Sequence, residues 1–427
     1  MKFKVINFGC KVNTYESTYI EEVLLSENNV EASSIDDADF IVINTCSVTN
    51  VADSKCKKFI RRIKRENPNA VIAACGCSVQ NNFEEYDEMG IDILVGTTNK
   101  SQIPSLYNKY VKTHEKIRLF DNNRKQSFEN MFINKFVKHT RAFIKIQDGC
   151  DNFCSYCVIP LVRGSIRSKD FDEVINEAKE LAASGHKEIV LVGIHTGSYS
   201  DKGKDLFDLI DEISKIDDIK RIRISSIEIT ELNDKFLDLL KNNQKIVNHL
   251  HIPLQAGSDE ILKIMNRKYD LKYFEEKINT IRSIRPDINI TTDVIVGHPY
   301  ETDELFNQTI EFCKKIKFGK IHVFPYSKRN NTKAALMPNQ VDESVKKDRA
   351  NKLIRVSEIL ENEYESKYID KEMYIITEEN HQKEIVGFTE NYIKVIIDNP
   401  EGLKSNMYIK VKLLNKDNDY VHAIYIK

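Results

Sequence analysis

The sequence of 427 residues lacks long apolar segments, an excess of either charge, and internal repeats. No apolar run approaches the roughly 18 residues of a membrane-spanning helix, which excludes a helical membrane protein. The N-terminal stretch Met1–Asn7 has no long apolar stretch of the secretory kind, so we expect a cytoplasmic protein without a membrane partner. With 63 Lys and Arg against 65 Asp and Glu, the net charge of −2 excludes a globally basic nucleic-acid coat, but not a local basic patch.

Nine cysteines are the most informative residues of the chain, because their number is odd and no export signal accompanies them. The cytosol keeps thiols reduced, so metal binding or catalysis is favoured over a disulfide framework. The cysteines form one tight group, one dispersed group in the first quarter of the chain, and one distant residue: Cys150, Cys154 and Cys157; Cys10, Cys46, Cys56, Cys75 and Cys77; and Cys313.

Strand and helix patterns alternate over the first 100 residues and predict a doubly wound parallel sheet. The predicted strands are Lys4–Phe8, Phe40–Asn44, Ala70–Ala74 and Ile91–Val95. In such a sheet, ligands bind outside the carboxyl ends of the strands. Cys10, Cys46 and Cys77 each follow a predicted strand, so parallel strands would bring the three thiols to one edge of the sheet.

The remainder of the chain changes pattern twice. A βα pattern recurs six times and predicts an open (β/α)6 barrel, with strands at Phe143–Gln147, Glu188–Gly193, Arg221–Ser226, His249–Leu254, Ile288–Val296 and Lys320–Pro325. Five short strands then predict a small β-barrel, at Met373–Thr377, Lys383–Phe388, Tyr392–Ile397, Met407–Leu414 and Val421–Ile426. We therefore expect an α/β protein with domains at 1–115, 136–366 and 367–427.

The spacing Cys150-x3-Cys154-x2-Cys157 supplies three thiolates within eight residues. A structural zinc ion or a complete [4Fe–4S] cluster normally takes four protein ligands, whereas three ligands leave one iron open for a small chelating molecule. The alternative is a zinc knuckle whose fourth ligand comes from elsewhere in the chain. Because six βα units follow at once, the cluster interpretation is favoured.

This spacing, with Tyr156 before the third cysteine, resembles the radical S-adenosylmethionine (SAM) superfamily. The resemblance implies that SAM chelates the open iron and is cleaved reductively to methionine and a 5′-deoxyadenosyl radical, which abstracts hydrogen from an unactivated C–H bond. We expect SAM contacts from Tyr156 in the cysteine loop and, at the barrel strand ends, from Gly193, His195, Glu228 and Gln255. A solvated loop position for His195 and an outer hydrogen-bonding role for Gln255 are the alternatives.

The N-terminal motifs are similar to those of the methylthiotransferase branch of this superfamily: Gly9-Cys10-Lys11-Val12-Asn13, Asn44-Thr45-Cys46 and Gly76-Cys77-x-x-Gln80. The resemblance implies that Cys10, Cys46 and Cys77 hold a second [4Fe–4S] cluster, whose open iron presents the sulfur for insertion. Cys75 lies two residues before Cys77 and would share its strand face, but a preceding glycine and the motif favour Cys77. The two other cysteines share apolar helix faces and are predicted core residues: Cys56 and Cys313.

Within that branch, the Cys10–Asn13 motif looks like enzymes that act on N6-threonylcarbamoyladenosine at tRNA position 37. The resemblance implies replacement of the C2 hydrogen by a methylthio group, using two clusters and two SAM equivalents. It also implies tRNA, a sulfur donor, and an electron donor such as flavodoxin or ferredoxin as partners. The alternatives are the same chemistry on isopentenyladenosine tRNA or on a ribosomal-protein aspartate, and a non-enzymatic zinc and RNA-binding protein.

Two basic segments and the C-terminal barrel are candidate RNA surfaces. A predicted helix beside Cys46 carries seven cations, Lys55, Lys57, Lys58, Arg61, Arg62, Lys64 and Arg65. The predicted linker Lys109–Lys145 has ten basic residues against three acidic ones, a local charge of +7. Both could follow a phosphate backbone, or simply form solvated faces. The barrel resembles the RNA-binding TRAM module, with Phe388, Tyr392 or Tyr408 for base stacking; a structural cap for the larger barrel is the alternative.

Overall fold

The computed structural model describes residues 1–47, 50–121, 126–136, 138–379, 384–398, 400–417 and 420–426. Arg124 and Lys125 of the predicted linker, and Lys383 of a predicted strand, fall outside these residues. Within the described ranges, no helix has both the length and the apolar character needed to cross a membrane.

The N-terminal part is a parallel sheet flanked by helices. Its elements are β1 (Lys2–Asn7), α1 (Lys11–Ser26), β2 (Val30–Glu31), β3 (Phe40–Thr45), α2 (Asn50–Glu66), β4 (Val71–Gly76), α3 (Cys77–Asn81), α4 (Phe83–Glu88), β5 (Ile93–Val95), α5 (Ile103–Thr113) and β6 (Ile117–Leu119). The six strands are ordered β2-β1-β3-β4-β5-β6, and every pair is parallel.

Apolar cores on both faces of this sheet confirm the predicted doubly wound arrangement. Cys56, Ile60 and Ile63 of α2 pack on one face, and Ile20 of α1 and Ile103 of α5 pack on the other. All six residues of β3 are buried, which explains its nearly continuous apolar sequence. The strands that end at the cysteines are therefore packed on both faces.

The central part contains six βα units. Its elements are β7 (Ala142–Lys145), β8 (Gln147–Asp148), α6 (Ile159–Val162), β9 (Arg167–Ser168), α7 (Phe171–Ala183), β10 (Glu188–Val192), β11 (Ser200–Asp201), β12 (Lys204–Asp205), α8 (Leu206–Ser214), β13 (Arg221–Ile224), α9 (Asp234–Asn242), β14 (His249–His251), α10 (Asp259–Ile264), α11 (Leu271–Ile284), β15 (Asn289–Val296), α12 (Asp303–Ile316), β16 (Lys320–Pro325), α13 (Lys333–Leu336) and α14 (Glu343–Ser366).

The six principal strands form a curved parallel wall in chain order. Strands β7, β10 and β13 form one three-stranded sheet, and β14, β15 and β16 form another. A parallel bridge between Ile222 and Ile246 connects the two halves. The predicted open (β/α)6 barrel is confirmed, with an apolar core between its strands and helices.

The C-terminal part is a closed five-stranded barrel, as predicted. Its strands are β17 (Glu372–Glu379), β18 (Ile385–Thr389), β19 (Lys394–Ile397), β20 (Tyr408–Asp417) and β21 (Tyr420–Tyr425). Their order around the barrel is β17-β18-β19-β21-β20. Alternating buried residues such as Val411 and Leu413 fill the interior, which accounts for the period-two pattern of β20.

This small barrel covers the N-terminal ends of the central strands. Arg221, the first residue of β13, donates to the Phe388 carbonyl at 2.8 Å. His249, the first residue of β14, stacks on Tyr392 with ring centroids 4.8 Å apart, and Phe388 stacks on Tyr392 at the same separation. Phe388 and Tyr392 are thus occupied by intramolecular contacts, which favours the cap interpretation for them, whereas Tyr408 stays exposed.

The segment predicted as a basic linker is largely built into the fold, so that prediction is wrong for much of its length. Strand β6 lies within it and extends the N-terminal sheet. Lys145 is buried between Glu16 and Asp148, at 2.7 and 2.8 Å. Lys138 forms ion pairs of 2.9 Å with two glutamates of the N-terminal part. These cations stabilise contacts between domains and do not face a phosphate backbone.

Candidate active site

The loop between β8 and α6 carries Cys150, Cys154 and Cys157. Gly149 makes the turn into this loop with a φ of +75°, and a Cβ there would lie 2.0 Å from the Ser165 carbonyl oxygen. Only glycine fits such a position. The Cys157 amide donates to the Cys154 carbonyl at 3.0 Å and tightens the loop. One short segment therefore holds all three thiols.

Arg267 supplies positive charge to this loop. Its Nη1 donates to Cys154 Sγ at 3.4 Å, and its Nη2 forms an ion pair with Glu228. Burial raises the pKa of the Cys157 thiol to about 12, so a metal that binds there must displace a proton. Glu228, a predicted SAM contact, therefore lies beside the loop and orients Arg267.

Gly193 and His195 lie at the end of β10, next to the same loop. Gln147 Oε1 accepts a hydrogen bond from the His195 amide at 2.7 Å, and a Cβ on Gly193 would lie 3.0 Å from that oxygen. Burial alone would lower the pKa of His195, but contacts with Cys150 and Glu231 raise it to about 10. The sequence did not indicate Gln147 or Glu231, because neither belongs to a recognisable motif.

A cavity of about 200 Å³ lies on the other side of the loop, lined by Tyr156, Cys157 and Gln255 among others. Gln255 has a left-handed backbone with φ of +67°. Its amide donates to the Asp293 carbonyl at 2.8 Å, and its carbonyl accepts from the Ile295 amide at 2.9 Å. Strand β15 thereby fixes Gln255 beside the cysteine loop. The structure brings both predicted residues, Tyr156 and Gln255, to one small cavity.

The three dispersed cysteines lie at one edge of the N-terminal sheet. Cys10 precedes α1, Cys46 directly follows β3, and Cys77 begins α3. Because β1, β3 and β4 are parallel neighbours, their carboxyl ends meet at this edge. Gly76 has a φ of +104°, and a Cβ there would lie 2.5 Å from the Thr45 carbonyl oxygen. Glycine is therefore required for the abrupt turn from β4 into Cys77.

Asn13 connects two of these strand ends. Its Nδ2 donates to the Thr45 carbonyl at 3.0 Å, and its Oδ1 lies 3.9 Å from Cys10 Sγ. A Cβ on Gly9 would lie 3.0 Å from the Cβ of Cys46, which shows how closely the two loops approach. Residues 32 and 37 positions apart in the chain are thus in direct contact.

Arg163 links this edge to the central barrel. Its side chain is fully buried, and its Nε donates to Cys77 Sγ at 3.2 Å. Its Nη2 donates to Asn13 Oδ1 at 3.0 Å, and its Nη1 lies 3.0 Å from Asp148 and 3.2 Å from Glu16. One guanidinium therefore contacts the sulfur of one cysteine and the asparagine that holds the other two strand ends together.

A buried charge network surrounds that guanidinium. Glu16 is fully buried and forms ion pairs with Lys100, Lys145 and Arg163. Burial would raise the pKa of Glu16, but these three cations lower it below its ordinary value. Among these residues, three cations face two carboxylates, those of Glu16 and Asp148. This network therefore fixes the Arg163 guanidinium beside Cys77.

Cys75 differs from Cys77 in its surroundings. Cys75 lies inside β4, is completely buried, and packs in the core with residues such as Phe40. Burial raises the pKa of its thiol to about 12. Cys56 and Cys313 are equally buried, as predicted, and burial raises their pKa values to about 12 as well.

A larger cavity of about 780 Å³ lies between the three parts of the chain. Cys10 and Lys11 of the N-terminal part, Gly193 and Arg223 of the central barrel, and Tyr392 of the C-terminal barrel all line it. The cavity therefore connects the edge with the dispersed cysteines to the strand end beside the cysteine loop. It is large enough for a nucleoside, within the range of ordinary ligand sites.

Comparison with known proteins identifies the family. Residues 2–96 match the Uncharacterized protein family UPF0004, and residues 144–313 match the Radical SAM superfamily. The chain is 42% identical to the threonylcarbamoyladenosine tRNA methylthiotransferase MtaB of Bacillus subtilis, over 98% of this chain and 95% of that protein. This chain belongs to the radical SAM methylthiotransferase family.

Other methylthiotransferases are similar at lower identity. The MtaB protein of Aquifex aeolicus is 36% identical, over 92% of this chain and 96% of that protein. The tRNA-2-methylthio-N(6)-dimethylallyladenosine synthase of Natranaerobius thermophilus is 37% identical, over 84% of this chain and 81% of that protein. Relatives named for two different modified adenosines are therefore similar to this chain over most of its length.

Solved radical SAM enzymes share the fold of this methylthiotransferase. The methyltransferase TsrM from Kitasatospora setae aligns with a TM-score of 0.58 at 13% identity, covering 78% of this chain and 77% of that one. The cobalamin-dependent enzyme OxsB aligns with a TM-score of 0.52 at 11% identity, covering 84% of this chain and 56% of that one. At such identities the likeness concerns the fold alone.

The basic helix α2 of the methylthiotransferase is only partly available to RNA. Lys57 is buried and pairs with Asp53 at 2.7 Å and Glu85 at 2.5 Å, so the prediction that it faces RNA is wrong. Lys58 and Arg61 are exposed and form no ion pair with any residue in the described ranges. A helix periodicity of 3.6 residues turns Lys57 toward the core side while its neighbours face outward.

Proposed function

We propose that this methylthiotransferase replaces the C2 hydrogen of N6-threonylcarbamoyladenosine at position 37 of tRNA with a methylthio group. Three relatives that carry the threonylcarbamoyladenosine name are 42%, 36% and 37% identical over at least 92% of this chain. The observation that carries the proposal is the presence of two separate sets of three cysteines, with Arg163 on Cys77 of one set and a large cavity that reaches from Cys10 of that set to Gly193 beside the loop of the other.

We assign one [4Fe–4S] cluster to each set: Cys150, Cys154 and Cys157, and Cys10, Cys46 and Cys77. Each set fits an anionic cluster because a guanidinium donates to one of its sulfurs, Arg267 to Cys154 and Arg163 to Cys77. When bound, the two clusters and SAM supply the electron, the 5′-deoxyadenosyl radical, the inserted sulfur and the methyl group. Cys75 is left out of the ligand set because it lies in the sheet core.

The residues around the cysteine loop position SAM in this proposal. Tyr156 and Gln255 line the small cavity beside Cys157, and Gly193 leaves the end of β10 free of a side chain. His195 lies at the end of β10 beside Cys150 and Glu231, where its imidazole can contact SAM. Glu228 holds Arg267 against the loop.

The larger cavity receives the adenine base. A base must leave its stack before its edge can meet a reactive group, as in other enzymes that act on bases. The cavity lies between Cys10 and Gly193, so an inserted base would lie between the two cysteine sets. The closed C-terminal barrel covers the opposite end of the central barrel.

The remaining assignments follow from this activity. We propose three domains, at 1–115, 136–366 and 367–427, with strand β6 lying in the segment between the first two. A one-electron donor such as flavodoxin or ferredoxin and a separate sulfur donor act as partners. A cytoplasmic location follows from a tRNA substrate.

Mass spectrometry of tRNA nucleosides from a deletion strain tests the proposal. We expect 2-methylthio-N6-threonylcarbamoyladenosine to disappear and its unmethylthiolated precursor to accumulate. Loss of the methylthio group from isopentenyladenosine instead would assign the chain to the other substrate. If neither modified tRNA nucleoside changes, a ribosomal-protein aspartate becomes the substrate to test.

Elemental analysis of the anaerobically purified protein distinguishes the iron–sulfur enzyme from the alternative of a non-enzymatic zinc-binding protein. We expect about eight irons and eight sulfides per chain, because each three-cysteine set would hold one cubane. Zinc without iron or sulfide would contradict the enzymatic proposal.

A further inference from the structure

Arg223 carries a buried, incompletely paired guanidinium in the wall of the large cavity. Its side chain is 1% exposed, and its Nε donates to Glu188 at 2.8 Å. Its Nη1 and Nη2 are buried and have no hydrogen-bond partner among the described residues. Tyr392 covers one face of the guanidinium, with the carbon atom 4.5 Å from the ring centroid. Two parallel N–H donors therefore remain for a ligand.

Lys11 lines the same cavity from the N-terminal part. It follows Cys10 directly and is half-buried, yet within the described chain it forms no hydrogen bond or ion pair. A partly buried ammonium without a counter-ion is costly unless a ligand supplies the negative charge. Lys11 and Arg223 belong to different domains, so the cavity receives from one part of the chain an ammonium without an ion pair among the described residues, and from another a guanidinium whose carboxylate partner, Glu188, contacts only one edge of it.

The acidic groups of the cavity wall already have partners. Glu361 pairs with Lys320 at 2.7 Å, and Asp293 pairs with His251 at 3.2 Å. Glu365 pairs with Lys416 at 2.5 Å. None of these carboxylates therefore neutralises the cations described above. The charge that these pairs leave in the cavity wall is positive, on the side that faces Cys10.

We propose that Arg223 and Lys11 bind the carboxylate of the threonylcarbamoyl group and thereby select the substrate. This inference rests on the proposed function, because N6-threonylcarbamoyladenosine carries a free carboxylate and isopentenyladenosine does not. The two unpaired N–H groups of Arg223 match a carboxylate in the bidentate manner typical of arginine. Lys11 adds a point charge next to Cys10, which places the carboxylate near the sulfur-inserting set.

Binding to two anticodon stem-loops tests the inference with the holoenzyme. One RNA carries N6-threonylcarbamoyladenosine, and the other carries its methyl ester, which removes only the negative charge. We expect the parent enzyme to bind the acid about tenfold to a hundredfold more tightly than the ester, as for a hydrogen bond to a charged group. Arg223→Gln should abolish this preference by weakening binding of the acid alone. Lys11→Gln should reduce the preference about tenfold and offers an independent test if Arg223→Gln does not fold.

Arg221→Gln is the matched control. Arg221 lies on the same strand near the same glutamate, but it donates to the Phe388 and Tyr374 carbonyls of the C-terminal barrel. This variant should keep the preference for the acid. Equal losses for acid and ester in Arg223→Gln would show a structural role and overturn the inference.

The parent enzyme separates this inference from the proposed function. If it methylthiolates the threonylcarbamoyl substrate but binds acid and ester equally, the carboxylate site is wrong while the proposed function stands. If it modifies only isopentenyladenosine tRNA, the proposed function and the inference both fail.

Discussion

The two cysteine sets are assembled by opposite structural routes. Cys150, Cys154 and Cys157 lie within eight residues of one loop, which a left-handed glycine and local hydrogen bonds shape. Cys10, Cys46 and Cys77 come from three strand ends and meet only when the parallel sheet has formed. The first set depends on local sequence, and the second depends on tertiary structure.

The second set also depends on a neighbouring domain. Arg163 from the central barrel contacts Cys77 and Asn13, and Lys145 from β7 pairs with Glu16 of α1. Tyr15 of α1 donates to Glu177 of α7 at 2.8 Å, which adds a further buried contact between the two parts. The edge that would hold the sulfur is therefore held in place by the domain that would generate the radical.

The largest expected effect is on SAM cleavage. Replacing Cys150, Cys154 or Cys157 with Ala removes one of three thiolates, and cleavage of SAM to 5′-deoxyadenosine should be abolished. Chromatography of the nucleoside products measures this. Cys313→Ala is the control and should retain cleavage, because Cys313 lies in the core of the central barrel. Full cleavage by any of the three variants would contradict the loop assignment.

The second effect separates sulfur insertion from radical formation. Cys10→Ala, Cys46→Ala and Cys77→Ala should still cleave SAM but should not form the methylthio product. Cys75→Ala is the matched control because it is two residues away yet packs in the sheet core. An active Cys77→Ala enzyme with an inactive Cys75→Ala enzyme would reverse the choice between these two cysteines.

A third prediction concerns the dependence of the second set on the central barrel. Arg163→Met removes a buried cation from Glu16, Asp148 and Cys77 without changing any thiol. Breaking a buried ion pair by removing one partner costs about 3–5 kcal/mol, so the free energy of unfolding should fall by about that amount. Iron bound by the dispersed set should be lost first. To show this, the iron content of Arg163→Met is measured in a protein that also lacks Cys150, Cys154 and Cys157. Stability equal to that of the parent would mean that the network is not a real link between the domains.

The smallest expected effect is on tRNA affinity. Lys58→Gln combined with Arg61→Gln removes two exposed cations of α2, and the slope of log affinity against log salt should fall by about two. Filter binding at several salt concentrations measures it. Lys57→Gln should leave the slope unchanged, because Lys57 is paired with Asp53 and Glu85. An unchanged slope in the double variant would place the RNA surface elsewhere.

The contrast between the two sets also shows which features the sequence could predict and which it could not. Strand periodicity predicted the sheet, the six βα units and the position of Cys10, Cys46 and Cys77 past strand ends, because these follow from local patterns. The role of Arg163 could not be predicted, since its partners Cys77 and Asn13 are 86 and 150 residues away. The burial of Lys145 depends on the same kind of distant partner.

Runs of charged residues were the least reliable guide to where side chains lie, for a related reason. A run of cations has the same sequence signature whether it faces solvent, RNA or buried carboxylates. Lys57 and Lys145 were counted as surface charges, but each is paired with acids of another segment. Conversely, nothing in the sequence distinguishes Arg223 from its neighbour Arg221, although both Nη atoms of Arg221 have partners and those of Arg223 have none among the described residues.

The central claim is that the two cysteine sets hold two independent clusters. Iron and sulfide analysis of two triple variants tests it most directly: Ala at Cys150, Cys154 and Cys157, and Ala at Cys10, Cys46 and Cys77. Each variant should retain about four irons and four sulfides, half of the parent's content, because in the proposal each intact set would hold one cubane. Complete loss of iron in the variant that keeps Cys10, Cys46 and Cys77 would contradict the claim.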